Sequence, residues 1–150
     1  HLHKFEIRDK HYGVPDPEFT DPGWEVLDEK KYRLNQLLAE GDSCTYLYDF
    51  GDGWQHRITV EAIKDVKPTP SDGGFAWVEA GERACPPDDA GGSGGYQDFL
   101  DRLEDDPYGD ETKAFREWAG LDFDPDRFDR QAVNATIARM LWNRWIKIGP

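Results

Sequence analysis

Apolar and polar positions alternate through Tyr46-Leu47-Tyr48-Asp49-Phe50 and again through Trp54-Gln55-His56-Arg57-Ile58-Thr59-Val60, and the two runs meet at Gly51-Asp52-Gly53. A period of two on either side of a glycine-flanked aspartate predicts a β-hairpin. Two registers fit it. A two-residue Asp52-Gly53 turn would set Asp49 opposite His56. A three-residue Gly51-Asp52-Gly53 loop with Gly53 left-handed would set Tyr48 opposite His56 and gather Tyr46, Tyr48, Phe50, Trp54, Ile58 and Val60 on one face. The second is the better fit, because it leaves Thr45, Leu47, Asp49, Gln55, Arg57 and Thr59 largely on the other face. Ahead of the hairpin, Leu2, Phe5 and Ile7 mark a strand and turn from His1 to about Tyr12, which Gly13-Val14-Pro15 interrupts. Residues 16–23 read as loop. The run 32–38 fits a short helix or a strand, and its apolar spacing of three and four leans to helix.

Behind the hairpin, Pro68-Thr69-Pro70-Ser71-Asp72-Gly73-Gly74 reads as an exposed loop and Phe75-Ala76-Trp77-Val78-Glu79 as a further strand. The period then changes. Tyr96, Phe99, Leu100 and Leu103 fall at helical spacing, as do Phe115 and Trp118 within 111–119. A last helix is expected to start with Asp129 as N-cap and run towards Trp145, with Val133, Ile137, Met140, Leu141 and Arg144 on one face. Strands first and helices afterwards predict an α+β fold: a mostly antiparallel sheet with a central aromatic hairpin, followed by short helices packing on one face.

Composition narrows the function classes. The 150 residues are 37% hydrophobic and include six Trp, six Tyr and eight Phe, enough for one domain over residues 1–150 with a real core. A formal net charge of -13 disfavours direct nucleic-acid binding, which relies on Lys and Arg displacing counterions. The charge is unevenly spread: residues 88–129 hold fourteen acidic and four basic side chains, whereas 130–150 hold four basic and none acidic. A solvated surface explains this asymmetry, and so does self-association or capture of a basic protein partner. Cys44 and Cys85 have neither zinc-ribbon nor disulfide-framework spacing, which points to reduced thiols in a cytoplasmic protein. No apolar run is long enough to span a membrane.

The candidate chemistry lies in histidines and acids. His1 and His3 sit two apart on a strand and so share a face, a spacing that can set two imidazoles on one divalent metal ion. With His56 and one of Asp49, Asp52, Asp88 or Asp89 they would form a mixed nitrogen and oxygen site suited to zinc, manganese or iron. In the bland reading His3 packs in the sheet, Asp52 turns the chain and Trp54 anchors it. In the functional reading Asp49, Asp52, Trp54, His56, Asp88 and Asp89 form a polar site at the hairpin mouth. The run Asp88-Asp89-Ala90-Gly91-Gly92-Ser93-Gly94-Gly95 has the glycines of an anion cradle but no P-loop lysine, and its aspartates would repel phosphate, so a cation site or a rigid turn fits better.

The hairpin segment, together with His1-Leu2-His3-Lys4-Phe5 and with 84–92, resembles the plasmid pRiA4b ORF-3-like family, with these three landmarks in the family's order. The resemblance implies a protein associated with plasmids and transposition genes, with no defined biochemical activity. It also implies an N-terminal strand and helix before His1, so an apolar strip beside Leu2 to Ile7 is expected to seek cover. Relatives often carry a second cysteine where this chain has Ala90, which weakens a paired-thiol role for Cys85. Two functions are expected to compete: an accessory or interaction domain binding a protein or small ligand, and a metal-dependent hydrolase using His1, His3 and His56, with Asp49 or Asp52 orienting water.

Overall fold

The computed structural model describes residues 1–15, 25–64, 76–120 and 122–142. The expected loops at 16–23 and 68–74, together with Phe75, Arg144 and Trp145, lie outside the described residues. The chain divides into two compact units, His1–Asp65 with Asp88–Asp105, and Val66–Pro87 with Asp106–Pro150.

The first unit is built on a five-stranded sheet. Its strands are β1 (His3–Ile7), β2 (Lys10–Gly13), β3 (Val26–Asp28), β4 (Ser43–Tyr48) and β5 (Trp54–Thr59), in the order β3-β2-β1-β4-β5. Every pairing is antiparallel except β2 with β3. Because side chains alternate across a strand, the register assigns the faces. Phe5 stands opposite both Tyr12 and Tyr46, Tyr12 opposite Leu27, and Cys44 opposite Ile58, so all six share one face. That face carries the core: Ile7, Tyr12, Leu38 and Cys44 are buried, and Phe5, Leu27, Leu37, Ile58 and Val60 pack against them. On the other face of β1, Lys4 is buried and its Nζ lies 2.8 Å from Glu6 Oε1. Leu2 and Val14 are exposed.

The hairpin register differs from both sequence expectations. Tyr46 faces His56 and Tyr48 faces Trp54, so the strands separate two residues earlier than in the favoured register. The reason lies in Asp49, which adopts φ 55°, takes the Gly51 N–H on Oδ1 at 2.9 Å and gives its own N–H to the Leu2 carbonyl of the neighbouring segment at 2.9 Å. An Asx-type turn and a bond to the other side thus end the ladder at Tyr48. The Gly53 N–H closes the wider loop on the Asp49 carbonyl at 2.6 Å, and Gly53 is left-handed, as expected, at φ 69°. A shift of two keeps the predicted aromatic face, since only an odd slip would exchange faces.

A 3-10 turn at Glu29–Lys31 and one helical turn, α1 (Leu34–Leu37), follow β3. The helix α2 (Gly92–Asp105) starts four residues before the expected Tyr96 and buries Phe99.

In the second unit lie α3 (Asp110–Ala119) and α4 (Arg130–Trp142). Asp129 caps α4 as expected, its Oδ1 accepting the Ala132 N–H at 2.9 Å. Residues 76–79, the described part of the run read from sequence as strand, are irregular. Their strand-like pairing comes from a side chain: Asn134, 6% exposed, accepts the Val78 N–H at 2.8 Å and donates to the Val78 carbonyl at 2.9 Å. A carboxamide offers the same donor and acceptor pair as a neighbouring peptide, so the apolar pattern survives without a ladder.

Candidate functional site

Three sequence landmarks meet at the loop between β4 and β5. Asp49 Oδ2 lies 2.6 Å from His1 Nδ1, and the His1 ring lies 5.3 Å from that of Tyr48. With the Asp49 N–H on the Leu2 carbonyl, this ties the first landmark to the hairpin. The glycine run reaches the same loop from α2. A Cβ on Gly92 would collide with the Asp52 carbonyl oxygen, and Gly92 has φ 67°, so two separate constraints exclude a side chain there. Behind this contact Trp54 meets Tyr96 edge-on at 6.4 Å, and the Trp54 indole N–H donates to Asp52 Oδ2 at 3.3 Å.

Further along the same sheet face, a cavity of about 320 Å³ opens beside β1. Phe5, Ile7, Tyr12 and Tyr46 line it from the sheet, and the segment Glu29 to Leu37 closes it with Glu29, Lys30, Tyr32, Arg33, Leu34 and Leu37. His3 completes the lining. The aromatic walls come in pairs, Phe5 with Tyr46 at 4.7 Å and Tyr12 with Tyr32 at 5.0 Å. The His3 Nε2–H donates to the Glu29 carboxylate, at 3.1 Å from Oε2 and 3.3 Å from Oε1. Tyr46 stands between His3 and His56, its ring 5.8 Å from one and 5.7 Å from the other. Its hydroxyl is pushed above the ordinary tyrosine range by burial and, secondarily, by the negative charge of Glu29.

The sequence candidates are therefore distributed as follows. His1 and Asp49 form a pair, Asp52 holds Trp54, and His3 joins Glu29. His56 is exposed and its Nδ1–H donates to the Tyr46 carbonyl at 3.3 Å. Asp88 and Asp89 are exposed, Asp89 at φ 59°. His1 and His3 share a face, yet each has its own carboxylate. Among the described residues no group of three or more His, Cys, Asp or Glu side chains is placed to hold a metal ion. Sequence reasoning missed Glu29, Lys30, Tyr32 and Arg33. Their grouping depends on the parallel addition of β3, and three residues of strand are too few for a period to register.

An α+β unit whose hairpin loop is bound to both the His1–Phe5 segment and a glycine-led helix carries the landmarks of one family. The chain matches the family model described as plasmid pRiA4b ORF-3-like protein over residues 1–132, and it belongs to that family. It is 36% identical over 140 residues to the uncharacterized protein y4hQ of Sinorhizobium fredii (strain NBRC 101917 / NGR234), covering 91% of this chain and 68% of the relative. The fold is similar to the crystal structure of a protein of unknown function, MM3350 from Methanosarcina mazei Go1. The TM-score is 0.68 at 29% identity, over 88% of this chain and 72% of that one. Among the described residues no helix is long and apolar enough to cross a membrane.

Proposed function

We propose that this protein is a cytoplasmic accessory domain of mobile genetic elements that binds a small ligand in the cavity on the aromatic face of its sheet. The observation that carries the reading is the cavity itself, in which two aromatic pairs and the His3–Glu29 pair border one volume of about 320 Å³. Apolar walls with a few convergent polar groups are the usual make-up of a ligand site, and this volume lies at the small end of the roughly 300–1,000 Å³ range. The Asp49 loop has a supporting role: it ties the N-terminal segment to β4, and β1 supplies His3, Phe5 and Ile7 to the lining.

The test is a fragment screen by amide chemical-shift mapping on the full chain. Binding should move resonances of Phe5, Tyr12, Glu29 and Tyr46 together, and Leu34→Trp, at an exposed lining position, should block it without unfolding the core. Fragments that bind elsewhere, or none that bind at all, would refute the reading.

A further inference from the structure

The lining of the cavity differs in charge from the rest of the chain. The sequence carries a formal net charge of -13, whereas the eleven lining residues include two cations, Lys30 and Arg33, and one carboxylate, Glu29. An acidic protein repels anions over most of its surface, so a local excess of cations matters for what can approach. The cations are also segregated. Lys30 and Arg33 are exposed residues, while Glu29, Phe5 and Tyr46 are half-buried and Tyr12 is buried. The cavity thus has an outer part in which both cations stand beside the exposed Tyr32 and Leu34, and an inner part of Phe5, Tyr12 and Tyr46 that contains a carboxylate.

Each part selects a different piece of a ligand. Paired rings favour a planar π-system over an aliphatic one, because stacked and edge-on contacts add to simple area burial. The Glu29 carboxylate has about four lone-pair sites and the His3 N–H occupies only part of that capacity, so it can accept further N–H donors from the edge of a planar heterocycle. Lys30 and Arg33 bring the positive charge that an anionic group requires. From this complementarity, and resting on the ligand-binding reading above, we infer that the cavity takes a planar heteroaromatic base bearing N–H donors and a short anionic substituent, the chemistry of a purine nucleoside monophosphate. The small volume argues against a dinucleotide or a polynucleotide strand lying within it.

Calorimetric titration of the full chain with AMP and GMP, and with adenosine and inorganic phosphate, tests this. At least one nucleotide should bind, with adenosine and phosphate each at least about tenfold weaker, and Lys30→Ala combined with Arg33→Ala should remove most of that difference while leaving adenosine binding unchanged. Glu29→Gln should weaken the nucleotide more than it weakens phosphate. Equal affinity for adenosine and AMP, or full retention of nucleotide affinity in the double variant, would overturn the inference. If fragments occupy the cavity but no nucleotide does, the ligand class is wrong and the binding reading stands. If neither binds, both fall.

Discussion

Gly53 and Gly92 have nearly the same backbone conformation, φ 69° and φ 67°, yet different surroundings. A Cβ on Gly53 would meet nothing within 4 Å, so Gly53→Ala bears only the left-handed penalty, about 1–2 kcal/mol. A Cβ on Gly92 bears the same penalty and also strikes the Asp52 carbonyl oxygen, with the carbonyl carbon 3.1 Å and the Asp52 Cα 3.6 Å away. These are backbone atoms and cannot rotate aside. Either the hairpin loop or the start of α2 has to shift, at the roughly 1–3 kcal/mol typical of overpacking. Gly92→Ala should therefore lose about 2–5 kcal/mol, a large fraction of an ordinary domain's 5–15 kcal/mol. Urea unfolding followed by Trp fluorescence reads both variants against the parent chain, with an unchanged slope confirming that stability alone is compared. Equal losses for the two variants would show that α2 does not approach the hairpin as described.

Other substitutions probe the remaining contacts. Asp49→Ala should cost about 2–3 kcal/mol in the same assay, because it removes the acceptor for Gly51 and leaves φ 55° to an ordinary side chain, whereas Asp49→Asn keeps the acceptor and should cost about 1 kcal/mol. Asn134→Ala leaves the Val78 N–H and carbonyl without their partner and should cost about 2 kcal/mol, read by amide exchange at Val78. Cys85 is exposed and should react with a thiol reagent in the native protein, while Cys44, buried and with its thiol pushed up by burial, should react only on unfolding. Tyr46 stays protonated to higher pH when folded than when unfolded, so its stabilisation is complete below the ordinary value of about 10 and is lost as pH rises through the folded value. Tyr46→Phe should accordingly show a shallower loss of melting temperature above that pH than the parent chain.

What could be read from the sequence depends on how far each feature lies from its cause. The hairpin, its aromatic face, the left-handed Gly53 and the Asp129 cap are local, and local pattern revealed them. The hairpin register was not local. The β4 ladder ends where it does because the Asp49 N–H turns to Leu2, forty-seven positions away in sequence, and no spacing within the hairpin records that bond. Residues 76–79 show the converse. Their apolar run is real, but the hydrogen-bonding neighbour of Val78 is the Asn134 side chain on a distant helix and Trp77 is exposed, so the run marks neither a ladder nor a buried face. The candidate site was half visible: His3 was chosen for its spacing to His1, whereas its partner Glu29 comes from a 3-10 turn whose position depends on a parallel strand pairing.

Two groups of residues therefore have different tasks. The motifs that identify the family, around His1, Asp49 and Gly92, converge on the hairpin loop, where their polar atoms are engaged with one another and their glycine makes room for a carbonyl. That arrangement fixes where β1 lies and hence where His3 and Phe5 face the cavity. The charged part of the lining comes instead from Glu29, Lys30 and Arg33, which lie in none of the three landmarks. The bonds that hold the loop run instead through Leu2, Asp49, Gly51, Asp52 and Trp54. On the ligand-binding proposal, membership specifies the frame, while ligand preference would be set by the short segment after β3. Exchanging residues 29–33 between this chain and a relative should transfer binding selectivity and leave the melting temperature within a few degrees, whereas exchanging residues 49–53 should alter stability and leave selectivity in place.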